Sequence, residues 1–254
     1  MEILVVDGAN SKENKIEVEK FKDKRVKYVP VEPEAVNYIS WTGVQHARNI
    51  GCKTAKGKYI AMLDDDDIWL PEKTEEQLKV FEKEDDELAL VICYNKIISG
   101  YKEVIDRPKE NPVFEDLLKS FNLSSTSTFL MRRDVLEEVG WWNENLRGMH
   151  EYDIALKMTK EGYKIKTVKK PLMIRHRIAN EARSYYYIKI AEVIDLWHYF
   201  GKDFIPHIGL NGFLFNSFKT IGLFCVFLMG YLIKEKVWDI IYPLKTLYER
   251  RGLS

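Results

Sequence analysis

Four consecutive carboxylates, Asp64-Asp65-Asp66-Asp67, follow the run Tyr59-Ile60-Ala61-Met62-Leu63 and precede Ile68-Trp69-Leu70-Pro71. Adjacent acids repel one another, so a chain gains no stability by placing four of them at the end of a buried strand. A hard divalent cation removes the repulsion. Mg²⁺ takes one or two protein carboxylates and fills its other positions with substrate phosphates and water. The pattern predicts a metal-diphosphate site at the C-terminal end of a parallel strand, where open α/β sheets bind ligands. The plainer alternative is a solvated acidic turn.

Other groups with possible chemistry lie on both sides. Asp7 ends the first apolar run, Ile3-Leu4-Val5-Val6, and leads into Gly8-Ala9-Asn10-Ser11. An aspartate there can bond a base or ribose, or shape the turn and cap a helix. Arg48, within Ala47-Arg48-Asn49-Ile50-Gly51, can reach a phosphate or pair at the surface. The hydroxyl run Ser124-Ser125-Thr126-Ser127-Thr128 can face an acceptor sugar or serve the scaffold. His150-Glu151-Tyr152-Asp153 opens a helix after a loop rich in Trp, Asn and Gly. One carboxylate there can act as a general base toward an acceptor hydroxyl, although the helix dipole favours acids in a first turn in any case. Asp153 and Lys157 are spaced to pair along that helix. Arg175-His176-Arg177 can meet a diphosphate or face solvent.

These groups need a frame. Strand-length apolar runs at 3–6, 26–29 and 58–63 alternate with helical patterns at 13–20 and 44–55, which predicts a parallel, doubly wound α/β unit. In the second helix Val44, Ala47, Ile50 and Ala55 are expected to face inward. A helix over 71–84 with Leu78 and Phe81 inward follows, then a strong strand over 88–98, a loop or hairpin over 100–112 and a helix over 114–121. Residues 124–128 read as a polar strand edge entering the buried Phe129-Leu130-Met131. Strands are expected at 164–168 and 172–175.

Composition narrows the class. The 254 residues carry 39 Lys+Arg and 39 Asp+Glu, so no net field draws the chain to nucleic acid. Charged residues make up 31% and hydrophobic residues 46%, a globular balance. The three cysteines are far apart, which excludes a disulfide framework or zinc spacing and suits a reducing cytoplasm. Met1-Glu2 runs into an apolar strand without a basic leader, so no signal peptide is expected. An EF-hand is excluded, because Ile68 stands at its fifth position and its glycine is missing. No glycine fingerprint follows the first strand, which excludes a dinucleotide fold of the NAD type.

VVDGAN (5–10), ARNIG (47–51), AKGKYIAMLDDDDIWLPEKTEEQL (55–78) and GWWNENLRGMHEYDIALKM (140–158) occur in one order. In that order they resemble an inverting family 2 glycosyltransferase of GT-A fold. The resemblance implies an α/β domain over 1–177, with a mostly parallel sheet flanked by helices. It implies a nucleotide-diphosphate sugar donor, Mg²⁺ or Mn²⁺, and a glycan or lipid-linked acceptor. Carried over, Asp7 contacts the base and Arg48 lies near the nucleotide. Asp64 and Asp66 form the DXD pair, with Asp65 between them in the donor site. Asp66 is then the direct metal ligand, and Asp64 supports the ribose. The family's Glu-Asp pair falls on His150 and Glu151, which makes Glu151 the base. Two departures stand out. Family members begin one strand and one helix earlier, so the sheet is expected to lack a central strand. Glu replaces Asp at the base position, one methylene longer. The alternative reading is an inactive relative acting as a scaffold.

Residues 178–254 are expected to form a helical appendage. Its uncharged run from Ile221 to Ile233 is shorter than the ~20 residues a spanning helix needs. Trp238 and Tyr242 lie among Lys234, Lys236, Lys245, Arg250 and Arg251. That mixture fits contact of 208–254 with an anionic membrane surface, which would hold a cytoplasmic protein at the inner face of the membrane; the alternatives are an appendage that covers the sheet and a dimer contact.

Overall fold

The computed structural model describes residues 1–32, 43–119, 123–146 and 148–176. The chain opens with strand β1 (Ile3–Asp7), helix α1 (Lys12–Glu19) and strand β2 (Val26–Pro30). Ser11 caps α1, its hydroxyl accepting from the Asn14 amide. Helix α2 (Gly43–Thr54) leads to β3 (Tyr59–Ala61), β4 (Asp67–Trp69) and helix α3 (Lys73–Phe81). The long strand β5 (Leu88–Ser99) and β6 (Lys102–Asp106) form a hairpin turned at Gly100, whose φ of 59° suits glycine. Helix α4 (Phe114–Lys119), a 3-10 turn (Thr126–Thr128), β7 (Leu130–Arg132), α5 (Arg133–Glu138), α6 (His150–Lys160) and β8 (Lys164–His176) complete the described chain.

The strands form two sheets. β1 and β2 pair in parallel, Ile3 opposite Val26 and Asp7 opposite Pro30. The other strands run in the order β3-β7-β5-β8-β4, with β6 on β5. Among the described residues β1 and β3 are not paired with each other. β5 is the axis of the core, with Leu88 to Cys93 wholly buried. Phe81 of α3 packs against Leu88, Val91 and Leu130, with Tyr59 tilted on its ring.

The α/β class is as expected, but the pairing is mixed rather than mostly parallel. Among the described residues of the larger sheet only β5 and β8 run parallel; β3–β7, β5–β7, β4–β8 and β5–β6 are antiparallel. An apolar run shows that a strand is buried and says nothing of its partner's direction. The two strands expected at 164–168 and 172–175 are one strand. Its register shifts where β8 passes Pro171, a residue with no amide to donate. The hydroxyl run forms a buried 3-10 turn in place of a strand edge.

The described residues all lie within one compact unit. The expected appendage and its membrane contact lie outside the described residues. Among the described residues no helix is long and apolar enough to cross a membrane.

Candidate active site

The four acids form a tight turn. The Asp67 amide donates to the Asp64 carbonyl at 3.2 Å, which puts Asp65 and Asp66, both exposed, at the corner. β4 begins at Asp67 and returns along β8, setting Asp67 opposite Arg175. The turn therefore follows β3, a strand antiparallel to β7, instead of a parallel strand. The Asp64 amide donates to Ser127 Oγ at 3.0 Å, and Arg48 meets Asp64 Oδ1 at 2.7 Å. Burial pushes the Asp67 carboxyl up, and the carboxylates of Asp66 and Asp64 add to that; Ser127 and Arg175 oppose it.

The second candidate group enters from α6. Met149 sits at φ 56°, ψ 34°, a left-handed conformation that a residue with a Cβ adopts at a cost. It turns the loop sharply so that His150 and Glu151 open the helix. Thr126 Oγ1 donates to Glu151 Oε1 at 2.9 Å. Burial pushes the Glu151 carboxyl up, but His150, Arg48 and the Thr126 hydroxyl outweigh it and hold it below its ordinary value. Glu151 is thus an ionised, half-buried acceptor at neutral pH. The Gln45 amide lies 2.8 Å from His150 Nε2. Asp153 is buried, paired with Lys157 at 2.9 Å and bonded to the Asn143 amide. That use leaves Glu151 as the carboxylate of this helix start that meets the site.

Helix α2 holds these pieces together through a polar face. Gln45, Asn49 and Cys52 are its buried residues; of the face expected from periodicity, Val44 is exposed and Ala47, Ile50 and Ala55 are half-buried. The reason is a loop whose backbone needs partners. Asn49 donates to the Trp142 carbonyl and accepts from the Trp142 amide, each at 2.9 Å. Gln45 donates to the Leu146 carbonyl at 3.1 Å. His46 Nδ1 lies 2.9 Å from Glu144, which Asn49 also bonds. Burial pushes the Glu144 carboxyl up, and the bonds from Asn49 and His46 bring it down past its ordinary value. Arg48 stacks 5.3 Å from the Trp142 ring centroid while it reaches Asp64. One turn on, Gly51 lets α2 approach β1, since a Cβ there would stand 2.8 Å from Val6 Cγ2. Arg48 and Gly51 are ~4.5 Å apart along the helix axis, so α2 brings the end of β1 near the acidic turn.

Asp7 is committed to its turn. Its carboxylate accepts from the Ala9 amide (3.0 Å), the Ser11 amide (2.8 Å) and the Tyr28 hydroxyl (2.8 Å). Burial pushes this carboxyl up, and Tyr28, Ser11 and the other donors bring it below its ordinary value. The Asn14 side chain also donates to it, so the roughly four acceptor positions of its two oxygens are all engaged near the turn. The hydroxyl run is buried and used internally: Thr126 on Glu151, Ser127 on Asp64, Thr128 on the Ser125 carbonyl.

The acids suit a hard cation that brings its own ligands. Asp66 presents a carboxylate to solvent, and Asp64 has one oxygen on Arg48. Among the described residues no three His, Cys, Asp or Glu side chains are arranged to cage a metal. One or two carboxylates completed by phosphate and water is the usual Mg²⁺ arrangement. Sequence reasoning missed Gln45, His46, Asn49 and Glu144. For the first three the signal was present as polar residues at i, i+1 and i+4 on one helix; Glu144 lies in the loop before α6.

The chain is 27% identical over 184 residues to an uncharacterized glycosyltransferase of Methanocaldococcus jannaschii, covering 70% of this chain and 60% of the relative. It is 38% identical over 82 residues to the Escherichia coli UDP-Glc:alpha-D-GlcNAc-diphosphoundecaprenol beta-1,3-glucosyltransferase WfgD, covering 32% of this chain and 30% of that one. S. aureus TarS 1-349 in complex with UDP-GlcNAc superposes with a TM-score of 0.57 at 17% identity, over 77% of this chain and 57% of TarS 1-349. The likeness to TarS shows a shared fold. The chain thus spans about 60% of the length of the archaeal relative. The family description Glycosyl transferase family 2 matches residues 1–140, which include Asp7, Arg48 and the acidic turn and stop short of Glu151. With more than half of its length matched, the chain belongs to glycosyl transferase family 2.

Proposed function

We propose that the protein transfers a sugar from a nucleotide-diphosphate donor to an acceptor hydroxyl with inversion at the anomeric carbon. One observation carries this reading. Consecutive residues of one buried turn hold the two candidate groups, Thr126 bonding Glu151 and Ser127 bonding Asp64. Neighbouring Cα atoms are ~3.8 Å apart, so the base and the acidic turn are tied to a single anchor. Arg48 links them further, paired with Asp64 and lowering the Glu151 carboxyl.

In this reading Asp66, with Asp64, holds Mg²⁺ or Mn²⁺. The cation, when bound, offsets the charge that develops on the leaving diphosphate. Asp7, in the turn after β1, contacts the base, and Asp65 lies beside the sugar. Arg175, across from Asp67, adds positive charge toward the diphosphate. The acceptor oxygen attacks the anomeric carbon as the bond to the diphosphate oxygen breaks. Glu151 takes the acceptor proton, His150 holds Glu151 ionised, and the nucleoside diphosphate leaves. TarS bound to UDP-GlcNAc and the diphosphoundecaprenol acceptor in the name of WfgD support a UDP-sugar donor and a lipid-linked acceptor. Such an acceptor suits work beside a membrane.

The test is calorimetric titration with UDP, GDP and dTDP, with and without Mn²⁺, repeated on Asp66→Ala. Metal-dependent binding of one nucleotide, lost in the variant at unchanged melting temperature, is expected. No binding to any of them would sink the transferase reading and favour a non-catalytic relative.

A further inference from the structure

Lys73 is a charged residue of the core that the proposed reaction does not use. It is completely buried in the first turn of α3. Among the described residues its amine has no carboxylate partner. It donates instead to Gln77 Oε1 at 2.8 Å and stands 4.2 Å from the centroid of the Trp69 ring. An ammonium buried without an acid is costly, and it persists only where its neighbours need it.

What those neighbours do is specific. An ammonium only donates, so Lys73 obliges Gln77 to turn its oxygen toward the amine and its nitrogen toward other acceptors. Gln77 Nε2 then donates to the carbonyls of Val91 and Thr128, each at 2.7 Å. The charge also seats the Trp69 ring by a cation–π contact. Trp69 Nε1 then donates to the Ser127 carbonyl at 2.7 Å. Two successive carbonyls of the 3-10 turn, Ser127 and Thr128, are therefore clamped by two side chains that share one cation. The same turn holds the Asp64 amide through Ser127 and Glu151 through Thr126.

We propose that Lys73 is a positioning residue: acting through Trp69 and Gln77, it fixes the Thr126–Thr128 turn and thereby the relative placement of Asp64 and Glu151. This rests on the roles given to those two residues above. Burial pushes the Lys73 amine down to about 8, with the Cys93 thiol of β5 as the titratable group facing it. Methionine at 73 keeps the length of the side chain and removes the charge.

The test is site-resolved amide hydrogen exchange on the full chain, comparing wild type with Lys73→Met and with Trp69→Phe. The Asp64 amide is expected to exchange about 10-fold faster in both variants, the loss of one hydrogen bond's protection. Amides of β5 and β8 away from the turn should keep their rates, and the double variant should add little to either single one. In the transfer assay Lys73→Met is expected to lower kcat more than it raises the donor KM. Wild-type exchange at Asp64 in Lys73→Met would overturn the proposal. So would a uniform acceleration of all amides with a falling melting temperature, which marks packing alone. Should Lys73→Met fail to fold, unchanged Asp64 exchange in Trp69→Phe overturns it. Exchange rates do not depend on turnover, so an inactive wild type would defeat the transferase reading while leaving this question decided.

Discussion

Glu151 and Lys73 show how one residue's surroundings set its use. Glu151 is held ionised by His150, Arg48 and Thr126 against the effect of burial. Glu151→Gln keeps the shape and the bond from Thr126 but cannot take a proton. Its turnover should fall by roughly 10² to 10⁴, the usual contribution of a general base, with UDP affinity within twofold of wild type by calorimetry. Lys73 carries the opposite burden. Its amine falls from 10.5 to about 8 in the fold. Between those values the unfolded chain binds the proton that the folded chain has lost, so stability rises with pH across the window. Below about 8 both states are charged and the penalty is complete, about 3 kcal/mol at the cited constant. Lys73→Met should therefore melt at or above wild type at pH 7, and the gap should narrow by pH 10. Thermal scans at the two pH values check this.

At the scale of elements, α2 works as a clamp whose active face is polar. Asn49 alone satisfies the amide and carbonyl of Trp142 and one oxygen of Glu144. Asn49→Ala leaves the Trp142 amide and carbonyl buried and unpaired, so a loss of about 2–3 kcal/mol is expected from urea unfolding. The loop before α6 should loosen with it, weakening transfer more than nucleotide binding. The helix was legible in the sequence and its orientation was not. Apolar spacing favoured Val44, Ala47 and Ile50, yet Gln45 and Asn49 are buried, because a Trp-rich loop distant in sequence offers them backbone partners. Periodicity ranks residues by hydrophobicity and has no term for a specific hydrogen bond. The hydroxyls at 124–128 illustrate the same limit: their presence was visible, while their use as an anchor depends on what α6 and the acidic turn bring to them.

For the molecule as a whole, the two sheets differ in their means of support. β1 and β2 form a two-stranded sheet, and α1 has no buried residue. β5 lies in a six-stranded sheet with Leu88 to Cys93 fully buried. Two-stranded units are marginal by themselves. Native-state hydrogen exchange should show amides of 4–6 and 26–29 opening at lower free energy than those of 88–93. Asp7 adds a pH dependence. Its carboxyl is held below the ordinary 3.8, so its contribution is complete above that value and is lost as pH falls through the folded one. Below about pH 4 the gap between the two sheets should therefore widen. Equal protection in both sheets would argue that they open as one unit.

The sequence by itself determined the α/β class and the order of most elements, and it singled out the candidate acids and bases. These follow from local pattern: apolar runs, a four-acid turn, a helix start rich in carboxylates. Only the tertiary structure decided strand direction, the face that α2 buries and the turn that unites Asp64 with Glu151. Each of those depends on a partner distant along the chain, and a sequence records which groups can bond without recording which ones meet.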